Sequence, residues 1–167
     1  MATASDAAQH KLLRNLIPEV FQTEVSASRH CRREAGRNPG TPPAQALLAV
    51  SEHADRSLAR LREQVRAAGL PVSVGGGLLG ATFSELRERI ADRLMDGDRS
   101  YRATLLGVRH GVDVVKMFGL TAALARKNEL AEWAEDWLAT RTELAHELER
   151  QLEWFALHTE RALARSH

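Results

Sequence analysis

The stretch LLAVSEHADRSLARLREQVRAA (47–68) decides the fold. Leu47, Ser51, Ala54, Leu58, Leu61, Val65 and Ala68 recur in alternating steps of four and three. Residues at that spacing share one face of an α-helix, and such a seam packs against other helices. Gly69 and Pro71 then break the pattern, since glycine closes helices and proline cannot extend them. The sequence predicts a helix over 44–68.

The same period continues on both sides. Upstream, Leu13, Ile17, Val20, Glu24, Ala27 and Cys31 form one stripe of a helix predicted over 5–35. Pro18 sits inside it, where a lost backbone bond should kink it. GRNPGTPP (36–43) ends it with breakers. Downstream, 75–77 is a glycine triplet, and 83–95 reads as a short extra helix. A third long helix is predicted over 99–126, capped by Asp98. RKNE (126–129) is a tight turn, with Asn128 as the next cap. A fourth helix follows over 129–164, with Leu130, Trp133 or Ala134, Trp137, Leu144, Leu148, Leu152, Phe155 and Ala162 inward. At 1.5 Å per residue it would span roughly 54 Å. The expected architecture is all-α: one domain over 1–167, an antiparallel up-down-up-down four-helix bundle with a short extra helix between the second and third.

Composition narrows function by exclusion. Lys and Arg number 23 against 22 Asp and Glu, so no general electrostatic footprint for nucleic acid exists. One cysteine, Cys31, excludes an intrachain disulfide or a multi-cysteine zinc site. A lone thiol fits a reducing cytoplasm. No run approaches about 18 apolar residues, so no membrane span is expected.

Some residues are of the kind that hold metals. Bundles that bind two metals place carboxylates and histidines inward, often as Glu-x-x-His, because positions three apart share a face. Glu143 and His146 form the one such element here. Glu52 and His53 are adjacent, so they point about 100° apart on a helix. Glu24 lies on an apolar stripe, and His110 stands near Asp113. Each also has an ordinary reading. Arg109, Asp113 and Lys116 make a charged surface ladder, and His110 shares a stripe with Val114, Met117, Thr121 and Leu124. A histidine there is more often a core or interface residue than a ligand.

LLGVRHGVDVVKMFGL (105–120) carries three glycines inside a helix. Each costs up to about 1 kcal/mol against alanine. Ala103, Gly107 and Gly111 align as a small ridge on a helix that is apolar on more than one side. A homodimer through Gly107, Gly111, Val114 and Met117 is the expected assembly.

DAAQHKLLRNLIP (6–18) and SEHADRSLARLREQV (51–65) resemble the first and second helices of the ferritin-like superfamily, closest to its YciF-like stress-associated proteins. The resemblance implies a four-helix fold and a metal site in the bundle core. It assigns Glu52, His53 and Glu143 to that site, with His110 on the third helix. Iron or manganese would be the cofactor. The chain departs from the pattern at Ala8 and Gln9, where a glutamate is expected, and at Arg109, which replaces the glutamate of a Glu-His pair. An arginine cannot ligate and keeps its charge. The expected function is a non-catalytic bundle acting through self-association or a protein partner in a stress setting. The alternative is a di-iron or manganese protein with oxidase or storage activity, using Glu24, Glu52, His53, His110, Glu143 and His146.

Overall fold

The computed structural model describes residues 4–71 and 96–164. Among the described residues every regular element is a helix. They are α1 (Ala4–Ala35), α2 (Pro42–Ala67), α3 (Gly97–Leu124), α4 (Asn128–Arg150), and the short α5 (Leu152–Leu157) and α6 (Thr159–Ala162). The glycine triplet at 75–77 and the short helix expected over 83–95 lie outside the described residues.

The four long helices form a closed ring of neighbours. α1 packs on α2 and α3, and α4 packs on the same two. Their directions follow from specific contacts. Ser100, early in α3, donates to Glu34 at the end of α1 (2.6 Å), and Gly111 further along faces Thr23. α1 and α3 are therefore antiparallel. Lys127, just before α4, donates to the carbonyl of Ala68, just after α2 (3.0 Å). Arg60 meets Asp136 beyond it (3.2 Å), so α2 and α4 are antiparallel too. The turns at 36–41 and 125–127 reverse α1 into α2 and α3 into α4. It follows that α2 and α3 run in the same direction. The order is up-down-down-up, which corrects the expected up-down-up-down. That expectation treated the α2-to-α3 link as a reversal, whereas it begins and ends at opposite ends of the bundle.

Local chemistry sets the helix ends. Thr41 caps α2, its hydroxyl accepting from the Ala44 amide (3.5 Å), with prolines in the first turn. α2 closes in a Schellman turn: Leu70 N–H reaches Val65 O (3.1 Å), Gly69 N–H reaches Arg66 O (3.0 Å), and Gly69 has φ +69°. α3 closes the same way around Arg126, a non-glycine residue at φ 57°. α3 starts two residues before the sequence reading, and Asp98 binds Arg102 (2.7 Å) instead of capping.

The single helix expected over 129–164 is broken at Gln151 and His158. His158 leaves helical geometry (φ −124°, ψ 65°) while its ring stacks on Trp154 at 4.3 Å. The last segment folds back onto the start of α3. There, a Cβ on Gly97 would lie 2.6 Å from the Arg161 carbonyl oxygen. Gly97 is required because backbone occupies the space of a side chain.

The glycines of 105–120 divide differently from the expected ridge. A Cβ on Gly119 would lie 2.8 Å from the Ala134 Cβ, so the close crossing is α3 on α4. Gly111 has ordinary room beside Thr23 (3.8 Å), and a Cβ on Gly107 would meet nothing within 4 Å among the described residues. Gly107 instead borders an open groove of about 330 Å³ between α1 and α3. Gly119→Ala is expected to cost about 1–3 kcal/mol through overpacking. Gly107→Ala should gain up to about 1 kcal/mol from helix propensity. Urea unfolding of the two variants checks the opposite signs.

Candidate functional site

Two apolar clusters fill the bundle, with a polar layer between them. On α1, Val20 belongs to one cluster, Cys31 to the other, and Glu24 lies between. On α2, His53 lies between Val50 and Leu58; on α4, Arg141 lies between Trp137 and Ala145. On α3 the interval between Val108 and Val114 holds Gly111, which brings no side chain. Three helices thus supply an acid, an imidazole and a guanidinium to one level.

Arg141 organises this layer. It is 0% exposed, as is Glu24. Its Nη2 donates to Glu24 Oε2 at 2.8 Å, and Trp137 Nε1 donates to the same oxygen at 2.9 Å. Its Nε and Nη2 also approach His53 Nδ1 at 3.1 and 3.0 Å. The guanidinium lies over the Trp137 ring, 4.7 Å from its centroid, a cation–π contact that partly replaces lost hydration.

This geometry fixes the histidine's protonation. Arginine has only donors, so His53 Nδ1 must be an acceptor. The ring is then neutral, with its proton on Nε2, facing Ser57 Oγ at 3.5 Å. Burial, then Arg141 and Arg56, pull the His53 pKa down to about 4. For Glu24, burial pushes the carboxyl up, against the pull of Arg141 and the Trp137 donor. Among the described residues Glu24 Oε1 has no hydrogen-bond partner. Cys31 is fully buried, and burial pushes its thiol up to about 12, so it is an inert core thiol.

The six residues expected to hold metal separate. Glu24 and His53 converge, but both face Arg141. Glu52 is exposed and lies 4.0 Å from Arg56. His110, Glu143 and His146 are exposed as well. Among the described residues no group of three His, Cys, Asp or Glu could hold a metal ion. The residues present do not fit a two-metal centre, because a guanidinium stands among the only two that meet and repels a dication. Arg109, which stands where the family pattern has a glutamate, is on the surface paired with Glu149 (2.9 Å).

The sequence reading missed Arg141. The buried positions of α4 are Leu130, Trp133, Ala134, Trp137, Arg141, Ala145 and Leu148. Glu143 and His146 sit off that stripe. The available signal was a four-residue step from Trp137 to an arginine, with an inward glutamate, Glu24, to neutralise it.

No family model matches the sequence, and no curated protein matches it. Among solved structures, the chain is similar to the crystal structure of a protein from Xanthomonas campestris pv. campestris. The two share 14% identity with a TM-score of 0.73, over 90% of this chain and 95% of the other. At that identity the likeness is one of fold. The class defined here is an all-helical bundle with an ion-paired centre. Among the described residues no helix is long and apolar enough to cross a membrane.

Two outcomes follow for the polar layer. Glu24→Leu and Arg141→Met should each cost about 3–5 kcal/mol, because each strands a buried charge. The double variant should cost far less than the sum, as a urea double-mutant cycle will read. The second concerns pH. The His53 pKa lies below its ordinary 6.5 when folded. Its contribution is whole above pH 6.5 and is lost as pH falls towards 4. The loss should be about 2 kcal/mol after allowance for solvent screening. His53→Gln, which keeps an acceptor for Arg141, should remove that part of the pH dependence in urea melts.

Proposed function

We propose that the chain is a non-catalytic bundle of ferritin-like type that works by self-association or by contact with a protein partner. Two features support the first half. The up-down-down-up order is that of a bundle with one long crossover, the ferritin-like arrangement. The centre, where such bundles place metal ligands, is closed by Arg141, Glu24 and His53. The likeness of 6–18 and 51–65 to the YciF-like proteins adds a stress-associated setting.

The observation that carries the association reading is the outer face of α3. Leu106, Met117, Leu120 and Leu124 are 68%, 49%, 59% and 64% exposed. They lie on one side of one helix, opposite the core positions Val108, Val115 and Ala122. Scattered exposed leucines are ordinary, but a row on one helix face marks an interaction surface. This changes the residues assigned to the dimer. Gly111 and Val114 face the bundle's own interior, whereas Gly107 and Met117 are exposed. The surface is thus built on Leu106, Met117, Leu120 and Leu124.

Sedimentation of the whole chain tests this reading. A dimer is expected, and Leu120→Glu/Leu124→Glu should shift it to monomer without lowering the urea midpoint of the monomer. Reconstitution with iron or manganese, followed by elemental analysis, should leave less than one metal per chain. A stoichiometric metal, lost on Glu24→Ala, would contradict the reading.

A further inference from the structure

The outer face of α3 has a pattern that matches itself when reversed. From Ala103 to Leu120 the exposed positions on this side are 103, 106, 110, 113, 117 and 120, in steps of three, four, three, four and three, with exposed Arg99 and Leu124 one further step of four beyond the two ends. About the point midway between His110 and Asp113 the spacing is palindromic. Reversal places His110 opposite Asp113, Leu106 opposite Met117, and Ala103 opposite Leu120. A small residue then meets a large one, apolar meets apolar, and the two polar positions between Ala103 and Leu120 meet each other, while Leu124 falls opposite Arg99 at the ends of the seam. Shifting the centre one step towards Leu124 would set Asp113 against Met117 and His110 against Leu120. That register buries both polar groups without partners, which is costly.

The flank of the row is compatible with a second copy. Arg102 and Arg109 stand beside the row, and a two-fold would bring such flanks together. Each is already neutralised within its own chain, Arg102 by Asp98 (2.7 Å) and Arg109 by Glu149 (2.9 Å). From Ala103 to Leu120 the paired seam is about 26 Å long at 1.5 Å per residue, a length that coiled-coil pairs use.

We infer that two copies of this chain pair antiparallel through the outer faces of α3, about a two-fold axis between His110 and Asp113, with His110 of each protomer meeting Asp113 of the other. This inference rests on the self-association reading and specifies its register. Isologous contacts of this kind are self-complementary: residue i meets j, and j meets i.

Double-cysteine variants of the whole chain test the register. Cys31 is fully buried, so the parent protein serves as the uncrosslinked control. Leu106→Cys/Met117→Cys should oxidise to a covalent dimer at least about tenfold faster than Leu106→Cys/Leu124→Cys, since disulfides need Cα atoms within about 7 Å. Asp113→His should weaken the dimer about tenfold by setting histidine against histidine, and the exchange His110→Asp/Asp113→His should restore it. A dimer in which Leu106→Cys/Leu124→Cys crosslinks faster, or in which Asp113→His changes nothing, overturns this register and leaves self-association standing. A chain that sediments as monomer at every concentration overturns self-association itself, and the register with it.

Discussion

The ion pair between Arg141 and Glu24 is the constraint on which the rest of the bundle depends. Both groups are withdrawn from water, and a buried pair repays its desolvation only with good geometry and further hydrogen bonds. Here Trp137 adds a donor to the carboxylate and a ring face to the cation, and His53 adds an acceptor. The four side chains come from α1, α2 and α4. A slip of one residue in any of the three would strand a charge in the core. The layer thus acts as a registration device, and its net contribution to stability is smaller than the cost of breaking it. Among the described residues Glu24 Oε1 finds no partner, so even this arrangement leaves one oxygen of the pair without a hydrogen bond there.

Around that layer the elements are held by close backbone approach. Gly119 lets α4 come near α3, and Gly97 lets the chain end lie against the start of α3. Lys127 donates to the end of α2, tying the α3–α4 turn to the far helix. Tyr101 reaches the Leu148 carbonyl (2.9 Å) and packs on Phe155, which secures the other end. These contacts fix α2, α3 and α4 against one another and leave the outside of α3 uncommitted among the described residues.

Much of the fold was legible in the sequence. The seams of α1 and α2, the breakers at 36–43 and the turn after α3 needed only helical period and turn chemistry. The direction of α3 was not legible, because a connection of unknown path permits either sense. The break at His158 was not legible either: nothing in WFALHTERA (154–162) forbids a helix, and the bend reflects packing onto Gly97. The site was half legible. Glu24 and His53 stood out, but the rule that charged residues face water hid Arg141. That rule fails where a second helix offers the opposite charge at the same level. The Glu-x-x-His spacing at 143–146 was real, but spacing alone does not say which face of α4 turns inward. The Trp133–Trp137–Arg141 steps decide that.

A metal-binding bundle and this one differ in what neutralises the inward carboxylate. A guanidinium does so permanently and leaves no open coordination position. The central claim is that Arg141 is locked between Glu24 and a neutral His53. Nitrogen-15 NMR of the His53 ring and the Arg141 Nε–H reads it directly. The account predicts one tautomer with the proton on Nε2, no imidazolium at pH 6, and an Arg141 Nε–H protected from solvent exchange. A protonated His53 at that pH, or an Arg141 Nε–H exchanging as freely as a surface arginine, would contradict it.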